Sequence, residues 1–594
     1  MCGIIAARVP TDVAGYLSVG LKLLEYRGYD SAGIAIAAED GSTAVFRTTL
    51  RVDSLPGLVE AWEGPELTGV GIGHTRWATH GGVCVANAHP HQDCSRRLSV
   101  VHNGIIENAD QLRDELISAG HSFSSEVDSE VICHLVEDQL AETGDLLTAV
   151  ANSVRLLKGS WGIAVLDGAT DRLVAAAHRS PLLIARSSHG QFVASDISAI
   201  AEWVEQFSIL GDGDVVEVRG DPIWLNEGEA IKPPKAIACP PRSSTRMRVD
   251  TDDHMAREID EQPEAAARIL QEIGGRIADG NLWRELALPR FDRLRVLACG
   301  TSLNAGMVIG ASLGRLGGLP FSCVVASEAA DTVVEPNTLT VAISQSGETA
   351  DVLRAVEETA SGSSVLALVN NLHSTLARRV DAVIGCSAGQ EIGVAATKTF
   401  ISQILVGAGV VISSLVASDR MSPSYARHLV DELYSVPEQL AAAASSARRE
   451  LPAVIAEVRD AHGFLFLGRG VGVTYASEGA LKLKEITYRW AESYPAGELK
   501  HGPLALVEAG TPVIVIDDGD PRLAGNIAEV RARGGNVITV GRPGSRIEVP
   551  LSTRSAIGPL AAVVPLQLLA LCLAIELGLD ADKPRNLAKS VTVD

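Results

Sequence analysis

The feature that most constrains the fold is an alternation of short apolar segments and helices that occurs twice in the second half of the chain. Short apolar runs of this kind are typical of buried parallel strands, and the segments between them have the pattern of helices. LRVLACGTS, LTVAISQSGETADVLRAVEE and SVLALVN in the first copy correspond to GFLFLGRG, TPVIVIDDGD and IAEVRARGGNVITVG in the second. We therefore predict two α/β doubly wound parallel-sheet domains that arose by duplication and meet near residues 418–430.

The first 220 or so residues have a different pattern, in which short β-like runs such as GIIAARV, LSVVHNGII and DVVEVRG outnumber helical stretches. Many strands with segregated helices predict an α+β domain built on antiparallel sheets. The stretch from Glu227 to Thr251 contains four prolines and no apolar period, which is typical of a linker. We expect a first domain at residues 2–225, a linker at 226–250, the duplicated domains at 251–425 and 426–585, and a C-terminal tail at 586–594.

Length, composition and charge exclude several classes of protein. A chain of 594 residues is too long for a single hydrophobic core, and 46% apolar with 21% charged residues is typical of a globular protein. The formal net charge of -22 argues against nucleic acid and anionic membranes as partners. Because the N-terminus lacks a basic region followed by a long apolar run, we predict no signal peptide and a cytoplasmic protein. The apolar stretch from Pro559 to Ile575 contains Gln567, and we predict a buried helix there.

The nine cysteines include no CxxC pair and no spacing typical of metal ligands. They are predicted to be reduced thiols, and we expect no metal site. Cys2 differs from the others because Gly3 is small enough to permit removal of Met1. An α-amine has a pKa near 7.7–8.0, so a freed amine of Cys2 could act as the base for its own thiol. Taken alone, however, a cysteine at position 2 is usually accidental.

Three motifs downstream contain groups that suit an amino acid substrate. HTRWATHG (residues 74–81) places the Arg76 guanidinium among hydroxyl and backbone donors, which suits bidentate capture of a carboxylate. Asn103 and Gly104 end a strand, where an amide and a backbone N–H could donate to an oxyanion. Asp128 could bind a substrate ammonium, although carboxylates at a helix start are more often caps.

Together with EYRGYDS (residues 25–31) and NAHPH (residues 87–91), these motifs closely resemble the class II glutamine amidotransferase domain, from residue 2 to about 220. The resemblance implies an N-terminal nucleophile (Ntn) glutaminase sandwich that acts on L-glutamine. It implies Cys2 as nucleophile, Asn103 and Gly104 as oxyanion hole, and as glutamine-binding residues Arg76, Trp77, Thr79, His80 and Asp128. Among these Trp77 would also be a gate for ammonia, and His80, like Arg27, would support the site.

A phosphate site is predicted in the first copy of the duplicated pattern. SQSGET (residues 344–349) follows an apolar strand and opens a helix, where hydroxyls and free N–H groups bind phosphate without a lysine or a metal. CGTS (residues 299–302) ends the preceding strand, so both loops should lie at one carboxyl edge of the sheet. The second copy has DDGD (residues 517–520) instead, whose charges would repel phosphate. Only the first copy is expected to bind a sugar phosphate.

Four further stretches resemble the two sugar isomerase (SIS) domains of the isomerising glutamine:fructose-6-phosphate aminotransferase family: EIGVAATK (391–398), LKLKE (481–485), ELKHGP (498–503) and NLAKSVTV (586–593). This resemblance covers almost the whole chain. It implies fructose 6-phosphate as the acceptor of ammonia, glucosamine 6-phosphate and glutamate as products, neither metal nor pyridoxal phosphate as a cofactor, and a homodimer. It implies these roles: Ser302, Ser344, Gln345, Ser346 and Thr349 hold the phosphate, His501 opens the sugar ring, Lys589 forms an imine at C2, and Glu485, assisted by Lys482, moves a proton between C1 and C2.

Some positions depart from the family pattern, and alternatives stay open. The departures are Asp260, Leu303, Ala396, Arg489 and Trp490, none of which has a chemical role above. They are compatible with a paralogue that uses another ketose phosphate. A non-catalytic phosphosugar sensor is a second alternative, but a sensor needs only the phosphate loop. Other class II amidotransferases need a phosphoribosyl or ATP loop, and the sequence after residue 240 has neither.

Overall fold

The computed structural model describes residues 2–78, 80–239, 253–359, 363–551 and 556–591. The chain divides into two compact units, residues 1–249 with 590–594 and residues 250–589. The strands of the first unit are β1 (Gly3–Arg8), β2 (Ser31–Ala38), β3 (Thr43–Thr48), β4 (Leu67–Arg76), β5 (His91–Gln92), β6 (Leu98–Ile106), β7 (Gly159–Asp167), β8 (Arg172–His178), β9 (Leu183–Ser187), β10 (Gly190–Ala194), β11 (Gln206–Ile209), β12 (Asp214–Glu217), β13 (Ile223–Asn226), β14 (Glu229–Ile231) and β15 (Ile237–Ala238). Its α-helices are Val13–Leu24, Leu55–Glu60, Ala109–Ala119, Glu130–Thr143 and Leu146–Val154.

Two antiparallel sheets form the centre of the first unit. Their strand orders are β15-β11-β9-β10-β1-β4-β2-β3 and β14-β13-β12-β8-β7-β6-β5. Ile4 and Ile72 of the first sheet share one core with Val101 and Ala164 of the second. Helix Val13–Leu24 packs on the other face of the first sheet, and the helices from Glu130 to Val154 pack on the other face of the second. This arrangement confirms the predicted α+β sandwich.

The strand predictions hold, but the linker prediction needs a correction. GIIAARV, LSVVHNGII and DVVEVRG form β1, β6 and β12. However, β14 and β15 lie inside the range 226–250 that was expected to be linker, and β15 pairs with β11 through Phe207 and Ile237. Strands of two or three residues are too short to show an apolar period, and the neighbouring prolines favoured a loop. Residues 240–252 lie outside the described residues.

The second unit contains ten strands among its described residues: β16 (Arg293–Ala298), β17 (Phe321–Val325), β18 (Thr338–Ser344), β19 (Ser364–Val369), β20 (Ala382–Gly385), β21 (Gly463–Gly468), β22 (Trp490–Pro495), β23 (Pro512–Asp517), β24 (Asn536–Gly541) and β25 (Ile547–Glu548). Its α-helices are His254–Asp260, Gln262–Ile273, Asn281–Glu285, Gly300–Gly317, Ala350–Thr359, Thr375–Arg378, Lys398–Ala417, Pro423–Tyr434, Val436–Val458, Gly472–Thr487, Leu523–Arg531 and Val563–Glu576.

The two parallel sheets of this unit have the same topology. Their strand orders are β17-β16-β18-β19-β20 and β22-β21-β23-β24-β25. In each sheet the first strand in sequence lies between the second and the third, which creates a switch point at the carboxyl edge. Doubly wound sheets bind ligands at such a point. The predicted duplication is therefore confirmed, and the loops after β16 and β18 lie where a ligand is expected.

Two apolar helices belong to the core of the second unit. Lys398–Ala417 is the one helix in the described part of the chain that is long and apolar enough to cross a membrane, with a mean hydropathy of 2.1, and 94% of that window is buried. Phe400 and Ile404 of this helix pack in one core with Val308. The buried helix predicted near Pro559 is found as Val563–Glu576, where Gln567 accepts a hydrogen bond from Gln262 at 2.7 Å.

Candidate active sites

Cys2 lies directly before β1, an interior strand of the eight-stranded sheet. The Trp77 N–H donates a hydrogen bond to Cys2 Sγ at 3.2 Å, and the thiol faces the Trp77 carbonyl oxygen at 3.6 Å. Burial raises the pKa of the Cys2 thiol above its ordinary value, although the Trp77 N–H and the Arg76 guanidinium act in the opposite direction. The thiol is therefore protonated at neutral pH and needs a base to become a nucleophile.

Asn103, in β6, is oriented by His74. His74 Nε2 lies 3.1 Å from Asn103 Oδ1 and 2.9 Å from the His102 carbonyl oxygen. Both partners are acceptors, so Nε2 carries the proton and donates to them. Asn103 Nδ2 in turn donates to the Cys2 carbonyl oxygen at 3.1 Å. Burial is the main reason why the pKa of His74 is lowered to about 3, so this histidine is neutral.

Gly104 follows Asn103 with a φ of +131°, a conformation that residues with a side chain rarely adopt. A Cβ atom at this position would lie 2.0 Å from the Ser160 carbonyl oxygen, so the strand passes too close for any other residue. The geometry thus explains why glycine is needed here. Within the described residues, a direct contact with Cys2 is found for Asn103 and not for Gly104.

Arg76 ends β4 and is only 3% exposed. Its guanidinium donates to the carbonyl oxygens of His80, of Gly81 at 3.1 Å and of Gly82 at 3.2 Å, so it holds the loop that follows β4. Burial lowers the pKa of Arg76, and the acidic groups that oppose this effect include Cys2 and Asp128. These three predicted residues therefore lie within electrostatic reach of one another.

The remaining predicted glutamine-binding residues differ in burial and in the contacts that they make. Asp128 is buried, and its Oδ2 accepts a hydrogen bond from the Ile106 N–H at 2.8 Å. The ring of Trp77 lies edge-on to that of Tyr29, with 5.5 Å between the centroids. The side chain of His80 is exposed, and this residue contacts Arg76 through its carbonyl oxygen. Thr79 lies outside the described residues.

Arg27 braces the strand that carries Cys2. It forms an ion pair with Asp196 and donates to the Ser195 carbonyl oxygen at 3.4 Å. Ser195 Oγ accepts a hydrogen bond from the Ile4 N–H at 3.0 Å, so the start of β1 is fixed through this serine. The connection from Arg27 to the start of β1 therefore runs through the backbone and the hydroxyl of Ser195.

In the second unit, the SQSGET turn is held by hydrogen bonds to its own side-chain hydroxyls. Ser344 Oγ accepts a hydrogen bond from the Gly347 N–H at 3.0 Å and lies 3.0 Å from Thr349 Oγ1. Ser346 Oγ accepts one from the Glu348 N–H at 3.1 Å. The next helix begins at Ala350, so the turn lies at a helix N-terminus, which attracts anions.

Two other predicted phosphate ligands are Gln345, within this turn, and Ser302, in the first sheet's other serine-containing turn. Gln345 accepts a hydrogen bond through its carbonyl oxygen from the Asn370 N–H at 3.2 Å. Ser302 lies in the first turn of helix Gly300–Gly317, directly after β16, and its Oγ accepts a hydrogen bond from Gln403 Nε2 at 3.0 Å. Because β16 and β18 are neighbours, the two serine-containing turns occupy the switch point of the first sheet.

Lys482 connects the two copies of the duplication. Its Nζ lies 2.6 Å from Glu485 Oε2 and 3.5 Å from Glu478 Oε1, and it donates to Thr301 Oγ1 at 3.0 Å. Burial lowers the pKa of Lys482, but the two carboxylates outweigh burial and raise it above its ordinary value. Lys482 is therefore a buried cation that holds Glu485 beside the helix that contains Ser302.

Lys589 is held by Glu391. Its Nζ lies 2.6 Å from Glu391 Oε2 and donates to the Gly393 carbonyl oxygen at 2.7 Å, and its side chain is 2% exposed. Glu391 Oε1 accepts hydrogen bonds from the N–H groups of Thr397 at 2.9 Å and Thr399 at 3.0 Å. Burial raises the pKa of Glu391, but Lys589 and these donors outweigh burial and lower it to about 2.

Sequence reasoning gave no role to Glu391 or to Glu258, which belongs to the same cluster. Glu258 is 1% exposed and accepts hydrogen bonds from the N–H groups of Ile392 and, at 3.2 Å, Gly393. Burial and the charge of Glu391 raise the pKa of Glu258 to about 8, so it is a neutral acid at pH 7. EIGVAATK was a signal for Glu391, whereas nothing in the sequence distinguishes Glu258 from a surface glutamate.

The histidine predicted to open the sugar ring is His501. This histidine ends the 3-10 helix Ala496–His501 and is exposed. Within the described ranges, no hydrogen bond or ion pair links its side chain to Lys589 or Glu485.

In the second copy, the turn after β23 is acidic, but part of its charge is paired. Asp517 pairs with Arg542 at 3.1 Å and Asp520 pairs with Arg522 at 2.6 Å. These two pairs reduce the negative charge of the turn, so it should repel phosphate less than three unpaired carboxylates would. Asp518 supplies most of the remaining negative charge.

Comparisons with known proteins agree with the division of the chain into two units that carry different sites. Residues 74–202 match the model of the family described as glutamine amidotransferase domain, and residues 288–413 and 457–548 match that of the SIS domain. Proteins named glutamine–fructose-6-phosphate aminotransferase (isomerizing) from Pseudomonas aeruginosa and Yersinia pestis are 40% and 41% identical to this chain, over 100% of both chains in each case. The chain belongs to this aminotransferase family.

A solved structure supports the same assignment for the second unit. The C-terminal domain of the Francisella tularensis glucosamine-fructose-6-phosphate aminotransferase is 33% identical, with a TM-score of 0.53, and the match covers 57% of this chain and 100% of that one. The aminotransferase family thus accounts for both units.

Two of the positions that depart from the aminotransferase pattern bond to residues that have no predicted chemical role. Asp260 forms an ion pair with Arg448, and Arg489 donates to the Ala461 carbonyl oxygen. Trp490 is 80% exposed at the start of β22. Leu303 packs against the core of the second unit, and Ala396 is half-buried.

Proposed function

We propose that the chain transfers the amide nitrogen of L-glutamine to D-fructose 6-phosphate, yielding L-glutamate and D-glucosamine 6-phosphate. The observation that carries this proposal is that one chain holds two sets of groups, each suited to one half of the reaction. The first is Cys2 with Asn103, Arg76 and Asp128, and the second is the serine-rich turns with Lys482, Glu485 and Lys589. A phosphosugar sensor would need neither Cys2 nor a buried Lys589.

In the first site, removal of Met1 frees the amine of Cys2 to take the proton of its thiol. Sγ then attacks the amide carbon of glutamine, and Asn103 Nδ2 and the Gly104 N–H donate to the oxyanion. The C–N bond breaks, ammonia leaves with the transferred proton, and water hydrolyses the thioester to glutamate. Asp128 binds the substrate ammonium and Arg76 its carboxylate. Thr79 and His80 are further glutamine-binding residues, and Trp77 is the gate for ammonia.

In the second site, the phosphate binds at Ser302, Ser344, Gln345, Ser346 and Thr349. His501 promotes opening of the sugar ring. Lys589 Nζ passes a proton to Glu391 Oε2, 2.6 Å away, and the neutral amine attacks C2 and forms an imine with loss of water. Ammonia then displaces the lysine at C2. Glu485 removes a proton from C1 and delivers it to C2, which leaves an aldehyde at C1 and an amine at C2. Lys482, ion-paired with Glu485, keeps that carboxylate in place.

We also propose a glutaminase domain that extends to Ala238, two SIS domains at residues 251–425 and 426–585, and a tail from residue 586 that contributes Lys589. A homodimer in the cytoplasm, without nucleic acid or membrane partners, completes the proposal. Light scattering of the purified protein tests the dimer.

The central test incubates purified protein with glutamine and fructose 6-phosphate and measures glutamate and amino sugar phosphate. We expect equal amounts of both. Cys2→Ala should form amino sugar phosphate only when ammonia is added, whereas the control Cys239→Ala, outside the site, should behave like the unaltered protein. Glutamate without amino sugar would contradict fructose 6-phosphate as the acceptor, and neither product would favour a sensor.

A further inference from the structure

Four potential metal ligands converge on the outer side of the first unit, at a place to which the proposed reaction gives no role. Cys94 follows β5, and His121 follows helix Ala109–Ala119. His134 and Glu137 lie one turn apart on helix Glu130–Thr143. One ligand atom from each of these four residues lies within 4.8 Å of all the others.

Four of the six separations between these atoms match the edges of a tetrahedron around a metal ion. Cys94 Sγ lies 3.5 Å from His121 Nδ1 and 3.6 Å from His134 Nδ1, and Glu137 Oε2 lies 3.2 Å and 3.3 Å from the same two nitrogens. Zinc bonds of roughly 2.0–2.3 Å at tetrahedral angles require about 3.6 Å between sulfur and nitrogen and about 3.4 Å between nitrogen and oxygen. The observed separations therefore leave room for one zinc ion at the centre.

A neighbouring carboxylate orients the His121 imidazole toward that centre. His121 Nε2 lies 2.9 Å from Asp138 Oδ1, and because a carboxylate only accepts, Nε2 carries the proton. The lone pair of His121 Nδ1 then faces the other ligand atoms. A carboxylate behind a histidine ligand is the usual outer partner in zinc sites.

His134 presents its Nδ1 to the same cluster. It is 0% exposed, its Nδ1 faces Cys94 and Glu137, and its Nε2 has no hydrogen-bond partner among the described residues. The nearest carboxylate to that Nε2 is Glu130, at 4.0 Å. A metal at Nδ1 would use the ring nitrogen that faces the other ligand atoms, with the proton of the neutral ring on Nε2.

We propose that Cys94, His121, His134 and Glu137 bind one zinc ion with a structural role. A thiolate, two imidazoles and one carboxylate are a donor set that suits zinc, and four protein ligands leave no open position for a substrate. The ion would join the turn after β5 to helix Glu130–Thr143, which begins two residues after Asp128. This proposal departs from the expectation of no metal site, because cysteine spacing cannot reveal a site with a single cysteine.

The test measures metal binding directly. The full-length protein is stripped with a chelator, reloaded with zinc sulfate and desalted, and the bound zinc is counted by mass spectrometry. Competition with a chromophoric chelator then gives the affinity. We expect one zinc ion per chain, and at least ~10-fold weaker binding in Cys94→Ser, Glu137→Gln and the outer-partner variant Asp138→Asn. Cobalt loading should give a thiolate-to-metal absorption band that Cys94→Ser lacks.

Matched controls separate this site from other thiols and imidazoles. Cys239→Ser removes a thiol elsewhere in the same unit, and His428→Gln breaks an exposed His428–Glu432 pair that has no further ligands. Neither should change zinc binding, and circular dichroism checks the fold of each variant. Equal affinity in the unaltered protein and Cys94→Ser would overturn the proposal, as would zinc that is lost only in Cys2→Ala.

Discussion

At the scale of single residues, the function of the Asn103 amide depends on which way it points. His74 fixes Oδ1, so Nδ2 faces Cys2 as a donor. Asn103→Asp keeps the shape but replaces that donor with an acceptor. We expect kcat for glutamine hydrolysis to fall by about 10²–10³-fold, the usual cost of one oxyanion donor, with little change in KM.

A suitable control for this prediction is Asn108→Asp. Asn108 Nδ2 donates to the Leu156 carbonyl oxygen at 2.9 Å, away from Cys2. Its variant should retain full activity. A loss of less than 10-fold in Asn103→Asp would assign the oxyanion to other donors.

Glu258 makes a prediction about pH. Its pKa is about 8 in the folded chain against an ordinary value of 4.5, chiefly because of burial. Between these two values the folded chain keeps a proton that the unfolded chain has released, so this group makes the fold less stable as pH rises through the window. Glu258→Gln imitates the protonated acid and should reduce the fall in melting temperature over that range.

The comparison is made by thermal unfolding at several pH values, with Glu264→Gln as the control because Glu264 is exposed on the neighbouring helix. The control should follow the unaltered protein at every pH. Parallel curves for Glu258→Gln and the unaltered protein would contradict a neutral Glu258.

At the scale of elements, the phosphate turn depends on Gly347. Its φ is +67°, and a Cβ atom there would lie 2.0 Å from Ser374 Oγ. Gly347→Ala should displace the turn and remove at least one hydrogen bond to the charged phosphate, which raises KM for fructose 6-phosphate by about 10-fold or more. Steady-state kinetics at saturating glutamine measure this effect.

The duplication supplies the matched control. Gly519, in the equivalent turn of the second copy, has a φ of +91°, but a Cβ atom there would meet nothing nearer than Arg542 Cδ at 3.8 Å. Gly519→Ala should therefore strain the backbone to a similar degree, but its Cβ atom collides with no neighbour and its turn is not expected to bind phosphate. An equal rise in KM in both variants would assign the effect to backbone strain and not to the phosphate site.

The elements also show what a sequence can predict. Apolar strands such as β1 and β18 were predictable because each is buried on both faces. The contact between Lys589 and Glu391 was not, since it joins residues that are far apart in sequence. The proposed zinc ligands Cys94, His121, His134 and Glu137 were not predictable either, because they come from three separate segments. Strand β15 was missed because it is only two residues long. Contacts between residues far apart in sequence produce no local sequence pattern, so the sites that depend on them could not be predicted from the sequence.

At the scale of the whole molecule, the two units have separate hydrophobic cores. The clusters that contain Ile4, Ile5 and Val100 belong to the first unit, and those that contain Phe400, Leu297 and Leu465 belong to the second. Separate cores favour separate cooperative transitions on heating. We therefore expect calorimetry to resolve two transitions, one for each unit.

Each ligand should stabilise only the unit that binds it. At 100 times its dissociation constant a ligand contributes about 2.7 kcal/mol, which corresponds to a shift of roughly 5–10 °C for a unit of about 250 residues. Zinc should therefore raise the transition of the first unit, and Cys94→Ser should abolish that shift. Fructose 6-phosphate should raise only the other transition, by a smaller amount because the second unit is larger. A single transition raised by both ligands would instead mean that the two units unfold as one cooperative structure.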